Sequence, residues 1–565
     1  MAAATGLFAA DSDNNEPLND PQNPNNNPGG GKGNGAGSNR SNDDSNNNNA
    51  GGGNGDNRNG TGQTLRVVVL PGINEAQYFM GTFLPTLIAV ALAAPISIID
   101  LNAKLFQPFQ AMASPYGASG PDAMTLRFAG IHGVVSPLTL VAQGQPVSLV
   151  TTLLLWLSWL LAPLAAEAVG IKVHGTCSHL SITGCGIQIG VSPQPAYALV
   201  GVLGAMMLLL VILVFLLRRW ETGLHSNPWS LAAMASLSLN SRLRDPLVRA
   251  GEPTDDELDA MFHHGRFQLG AFSGSAEGEE GKEHQTFEYG IVPLLDGTVG
   301  VDAGSLTPQR NSFIQAASRR RVPFLALTYT WRATFVAFLL ALMALIIYYH
   351  LLREDNAFEL FMDSQAFGVK FLFAALGGII TYFWSSFFMS VATVVPFMTM
   401  QNTENPPAAD KSVLLSMRPT NAFYGVYAAA RQRNVLLLAS AIMAVSSEML
   451  PIVLSNIPYT LTQTLDTHNV CTYISLAIMA AMVLMLAASM FVRWPHMPVD
   501  PCTVAGALYY VADSASLMQD VRGCSLSTMD RRTRDKLIQD LDRKYSYGRV
   551  MGSSGRMRMA VDNVQ

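Results

Sequence analysis

Charge is what this sequence has least of. Asp, Glu, Lys and Arg make up 14% of its 565 residues, where an average soluble protein carries about 25%. A chain with so little solvated surface is not a simple soluble enzyme. The charge that is present is nearly balanced, 36 Lys and Arg against 41 Asp and Glu, which argues against a global nucleic-acid binder. Five cysteines are too few for a disulfide scaffold or a multi-zinc protein. The sequence also has no hydrolase elbow, H-E-x-x-H pair, kinase signature or calcium loop. Gly29-Gly30-Gly31-Lys32-Gly33 lacks both the spacing of a phosphate loop and a strand before it. The chain therefore reads as non-enzymatic, with no cofactor and no metal site.

What the sequence does have is apolar residues, 49% of the total, and they are unevenly spread. Residues 1–64 hold 17 Asn and 13 Gly, a composition that cannot bury enough surface to offset ordering entropy. That tail is expected to be disordered. It lacks the basic region of a cleaved signal peptide. Asn39 and Asn59 stand in Asn-x-Ser/Thr sequons and are candidate glycosylation sites if the tail faces the secretory lumen.

Seven apolar runs of about 20 residues follow, at 79–99, 148–168, 197–217, 334–352, 371–397, 435–457 and 472–492. Alternation through seven spans puts 29 of the 36 Lys and Arg on one face, several of them directly at span ends, such as Arg218-Arg219 and Arg493. The positive-inside rule makes that face cytosolic and puts the N-terminus outside or in the lumen, in the plasma membrane or a secretory-pathway membrane. Cys177 and Cys185 then share the lumenal loop 170–196, where oxidation is allowed, and form a candidate disulfide. With His174 and His179 they form an alternative, irregularly spaced zinc set. Cys502 and Cys524 fall on the cytosolic side and are expected to be reduced.

Self-comparison reveals a repeat. Arg219-Trp220 and Asn227-Pro228-Trp229-Ser230 follow the third span; Arg493-Trp494 and Asp500-Pro501-Cys502-Thr503 follow the seventh. Asn or Asp as N-cap with Pro at the first helical position predicts a juxtamembrane helix in each. Pro163 in the second span matches Pro451 in the sixth, and Tyr78-Phe79 with Phe83 matches Tyr382-Phe383 with Phe387. Helices near 254–264 and 528–542 each precede two short alternating runs, 267–272 with 286–292 and 545–550 with 557–562, read as β-hairpins. Gly552-Ser553-Ser554-Gly555 would form the turn of the second.

The expected fold is thus an all-α polytopic membrane protein of about seven transmembrane helices, in two parallel three-span repeats plus a linking span. Small cytosolic helix and β-hairpin appendages complete it. The division is a 1–64 tail, repeat 1 over 78–292, a cytosolic linker over 293–333, a linking span over 334–352 and repeat 2 over 371–562.

Phe83-Leu84-Pro85-Thr86-Leu87-Ile88-Ala89-Val90, Ile98-Ile99-Asp100-Leu101-Asn102-Ala103-Lys104-Leu105, Gln107-Pro108-Phe109 and Gly117-Ala118-Ser119-Gly120 resemble a family of fungal multi-pass membrane proteins of unknown function. The Arg219-Trp220 exit fits the same family. Members often carry a further span before the Leu-Pro-Thr-Leu helix, where this sequence has Val67-Val68-Val69-Leu70, too short to cross. The resemblance implies topology and no activity.

Among single residues, Glu448 is the sharpest candidate. It lies near mid-depth of the sixth span, where an acidic side chain costs about 2.5–3.5 kcal/mol on insertion scales. It either exchanges a proton or binds a cation, or it is a protonated group bonded to Ser446, Ser447 or a neighbouring helix. Asp100 with Lys104 reads as a local pair or snorkelled end, and Glu167 as an ordinary span end. Arg531-Arg532-Thr533-Arg534-Asp535-Lys536 follows Ser527, a candidate helix cap, and reads as a solvated face or an anionic-lipid site. The expected function is a membrane scaffold whose C-terminal module meets anionic lipid or a cytosolic protein. An ion- or proton-coupled transporter or channel is the alternative.

Overall fold

Proline and short polar caps set where the spans begin. Pro146 and Pro193 are the first residues of their helices and Pro85 the second of its own, where the missing N–H has no partner to lose. Asn434 accepts from the Leu437 N–H at 3.1 Å and Thr464 from the Thr467 N–H at 3.3 Å. The computed structural model describes residues 74–128, 145–174, 186–275, 285–294, 323–351, 357–362, 368–401, 405–419, 421–459 and 463–564.

Within them, seven helices are long and apolar enough to cross a membrane: Leu84–Met112, Pro146–Ala168, Pro193–Leu217, Tyr329–Leu351, Val369–Met400, Val435–Leu454 and Leu465–Met490. The chain is a multi-pass membrane protein whose spans contact the bilayer. The third span is the most open to lipid, with Val200, Met207, Leu208 and Phe215 each at least 60% exposed. One buried cluster, including Ile96, Leu154, Leu161 and Met206, joins the first three spans. A second joins the other four, and the end of the first through Leu105, Phe109 and Met112, to a body built outside the membrane.

Two span limits differ from expectation in a way that matters. The first helix runs on to Met112 and the fourth begins at Tyr329, so Lys104 and Arg332 belong to spans and not to connections. Each is accommodated by a partner. Lys104 Nζ lies 2.6 Å from Asp100 Oδ2. Arg332 donates to Ser489 O at 2.5 Å and Ser489 Oγ at 2.9 Å on the seventh span.

The sixth span is broken at Glu448-Met449, ahead of Pro451. Proline cannot donate to the carbonyl four residues back, here Ser447 O. Thr381 of the fifth span supplies the missing donor at 2.7 Å. Gly377 lets the two spans approach there, since a Cβ would lie 2.6 Å from Pro451 N.

The strands run from two to ten residues. β1 (Ala118–Ser119) pairs with β4 (Arg266–Ser275), which pairs along its length with β5 (Gln285–Leu294). β6 (Tyr545–Met551) and β7 (Met557–Asn563) form a hairpin closed by Gly552 N–H to Arg556 O at 3.0 Å, with Gly555 at φ +71°. A further hairpin of β2 (Val169–His174) and β3 (Gly186–Val191) joins the second and third spans. It was not expected, because Ile171-Lys172-Val173 and Ile187-Gln188-Ile189 are too brief to stand out beside the spans.

Candidate functional site

Each juxtamembrane helix starts three residues later than its Asn-Pro or Asp-Pro pair suggests. Asn227 Oδ1 accepts from the Trp229 N–H and Asp500 Oδ1 from the Cys502 N–H, so both close a side-chain turn. Ser230 and Thr503 then cap helices Leu231–Leu237 and Val504–Tyr509 through the N–H groups of Ala233 and Gly506. The same correction applies to the last helix: Asp530, not Ser527, caps Arg531–Gln539.

These two helix starts hold the halves of the molecule together. Ala232 N–H donates to Val413 O at 3.0 Å, and Ala505 N–H donates to Met124 O at 2.8 Å. Ala232 and Ala505 are matching positions in the two sequence copies. Met124 and Val413 lie in the loops after the first and fifth spans. Each copy's helix therefore docks on the other copy's loop. Each hairpin meanwhile pairs with its own loop, through Ala118↔Phe267 in one copy and Ala408↔Lys544 in the other.

The packing around these bonds is aromatic and buried. Trp229 donates from Nε1 to Leu105 O at 2.9 Å and lies 5.9 Å edge-on from Phe109, while the Arg418 guanidinium covers its ring at 4.8 Å. Arg558, 1% exposed, donates to Leu247 O and Tyr509 O and stacks on Tyr509. Asp513 accepts from Ser553 Oγ, Ser554 N and Ser554 Oγ, which fixes the β6–β7 turn. Burial pushes the Asp500 carboxyl above its usual range and pushes the Cys502 thiol and the Tyr509 phenol each up to about 12. Asp255, on helix Asp255–Phe262, accepts from the Asp500 N–H at 2.8 Å. Arg127 joins them at the end of a groove that runs into the membrane. No motif marks this trio, because its members are 128 and 245 residues apart in sequence; a docking constraint between copies is the signal that would have found it.

Inside the membrane, the acidic groups divide into bonded and unbonded. Asp100 holds Lys104 and accepts from Thr152 Oγ1 at 3.3 Å, and Gln107 accepts from Ser148 Oγ at 2.9 Å. Asp100 and Lys104 are each 5% exposed, so the pair is buried and not a snorkelled end. Glu167 caps the fifth span, accepting from the Gly368 and Phe371 N–H groups. Glu448 ends the helical segment Val435–Ser447 and is half-buried. Its carboxyl makes no hydrogen bond or ion pair among the described residues, and the Ser447 hydroxyl bonds its own helix at Ala444 O. Neither of the two cavities described is lined by Glu448.

Cys177, Cys185, Asn39 and Asn59 lie outside the described residues, as does His179. Cys502 and Cys524 are buried free thiols.

No curated protein and no solved structure matches this chain. One family model matches it, described as a protein of unknown function (DUF3433), and it matches twice, at residues 79–170 and 367–459. The two starts are 288 residues apart, which corrects the pairing of Tyr78-Phe79 with Tyr382-Phe383. Pro108-Phe109 and Pro396-Phe397 are the residues that correspond at this spacing, each Pro four residues before its helix ends at Met112 or Met400. Residues 79–170 and 367–459, which hold the first and second spans and the fifth and sixth, are thus each similar to this family of unknown function.

Proposed function

We propose that the protein is a non-enzymatic membrane scaffold, with its extramembrane body in the cytosol and its N-terminus outside or in the lumen. The observation that carries this reading is the reciprocal docking of each copy's juxtamembrane helix on the other copy's loop. A cycle that rocks one copy against the other would have to break Ala232–Val413 and Ala505–Met124 and unstack Trp229 from Arg418. A static platform keeps them. The body offers a surface for a partner in helix Arg531–Gln539, where Arg534 and Ile538 are buried while Arg531, Arg532 and Lys536 remain exposed. That face suits anionic lipid at the cytosolic leaflet or an acidic patch of a cytosolic protein.

The test is crosslinked recovery from intact membranes, comparing the wild type with Arg531→Glu/Arg532→Glu/Lys536→Glu. Loss of the recovered protein or anionic lipid is the expected result, and an unchanged set of contacts overturns the reading. Protease digestion of a C-terminal epitope in sealed microsomes tests the orientation separately, with digestion expected and protection reversing it.

The helix break at Glu448 favours a second reading, an ion- or proton-coupled transporter or channel, because interrupted spans with an acidic group mark many ion paths. Proton flux into dye-loaded proteoliposomes that disappears in Glu448→Gln would support it. Equal flux with and without the carboxyl removes it.

A further inference from the structure

A groove of about 550 Å³ runs between the fourth and fifth spans and ends against the extramembrane body. In the membrane it is walled by Phe335, Phe338, Ile379 and Phe383, with the Phe335 and Phe383 rings stacked 3.5 Å apart. Arg127, Asp255 and Asp500 line its other end. Trp331 and Ile379 are 37% and 56% exposed, so the groove is open sideways to the bilayer. The fifth-span wall from Ile379 to Ser390 rises about 17 Å at 1.5 Å per residue. That is roughly half of a ~30 Å hydrocarbon core, the depth of one leaflet.

We propose that this groove binds one glycerophospholipid of the adjoining leaflet, an acyl chain lying on the phenylalanine wall and a zwitterionic head at the charged end, its phosphate on Arg127 and its ammonium on Asp255. The length selects a lipid over a peptide, because a crossing helix needs the full hydrocarbon depth. The charges select the head. Arg127 lines that end of the groove and brings guanidinium donors suited to a phosphate. Asp255 uses Oδ1 for the Asp500 N–H and has a second oxygen for an ammonium donor. A purely anionic head would meet two carboxyl groups here, and a purely cationic one would meet Arg127. The aromatic wall with a few polar groups converging at one end is the usual make-up of a small-molecule site. The inference is independent of whether the body is a scaffold.

Native mass spectrometry of the purified full-length chain tests it, after incubation in mixed micelles holding equal amounts of phosphatidylethanolamine and phosphatidylglycerol. One retained phosphatidylethanolamine per chain is expected, favoured over phosphatidylglycerol by about tenfold. Ser386→Trp places an indole midway along the wall and should lower retention about tenfold. Asp255→Asn keeps an oxygen for the Asp500 N–H but loses the charge, and should shift the ratio several-fold toward phosphatidylglycerol. Equal retention of both lipids, no retained lipid, or unchanged retention in a folded Ser386→Trp chain would overturn the proposal. If Ser386→Trp does not fold, the Asp255→Asn ratio decides, an unchanged ratio counting against it.

Discussion

The two copies hold their first and second spans together by different means. In the first copy the seam is polar: Asp100 holds Lys104 and Thr152, and Ser148 bonds Gln107. At the same spacing of 288, the second copy has Phe388, Ala392, Ser440, Leu436 and Val395. There the seam is apolar, and the polar bond has moved to mid-span, where Thr381 meets Ser447 O. Outside the membrane the helix-start bond recurs in both copies, while Met417 N–H adds one to Trp229 O at 2.9 Å that has no counterpart at Cys502 among the described residues. What the comparison teaches is that lipid does not dictate where polar groups go. It asks that the polar groups of a seam be paired, so a seam can be polar or apolar as long as it is complete.

Breaking the polar seam on one side should have the largest effect. Asp100→Leu removes the carboxylate opposite the buried Lys104 ammonium and should cost about 3–5 kcal/mol, whereas Asp100→Leu with Lys104→Met should cost no more than about 1 kcal/mol. Unfolding in SDS from mixed micelles measures both. A double variant as unstable as the single one would mean the pair does more than satisfy itself. Trp229→Ala should come next, at about 3–5 kcal/mol from the lost ring and its cavity, while Cys502→Ala at the matching position should cost about 1 kcal/mol. Equal losses would show that the two docking sites are alike in energy despite their unlike side chains. Gly377→Ala should cost about 1–3 kcal/mol through the clash with Pro451, although the first copy carries Ala89 at that position without harm.

The spans were legible because hydrocarbon requires about 20 apolar residues whatever their order, and that requirement survives without any tertiary contact. The repeat was legible in its polar punctuation: Arg-Trp, then Asn-Pro or Asp-Pro, marks a chemistry that interfaces need. Register inside the spans was not, because Tyr, Phe and Leu recur there for lipid and core alike. Tyr78-Phe79 therefore matched Tyr382-Phe383 sixteen residues out of place. Glu448 was found, but which proline breaks its span was not legible: Pro163 and Pro451 look alike in sequence, yet one lies inside a continuous helix and the other follows a break. The charged trio at the groove could not be read at all, since Arg127, Asp255 and Asp500 meet only when the body folds.

The difference between those two prolines gives the smallest prediction and the sharpest one. Pro451 frees Ser447 O, and Thr381 takes it at 2.7 Å. Pro163 likewise leaves Trp159 O without a donor four residues on, but Ala93 stands where Thr381 does. Thr381→Val removes the hydroxyl at nearly constant volume and should cost about 0.6–1.7 kcal/mol, the range for hydrogen bonds between spans. Ala93→Thr offers the first copy the same bond, to Trp159 O. If the hydroxyl is what the second copy needed to accept its break, Ala93→Thr should be neutral or should stabilise the chain, by up to about 1 kcal/mol, with the second span still continuous. If instead the unbroken helix keeps Trp159 O out of reach, the new hydroxyl has no partner and the variant loses stability in the same SDS titration. That outcome would make the helix break the cause of the Thr381 bond and not its accommodation.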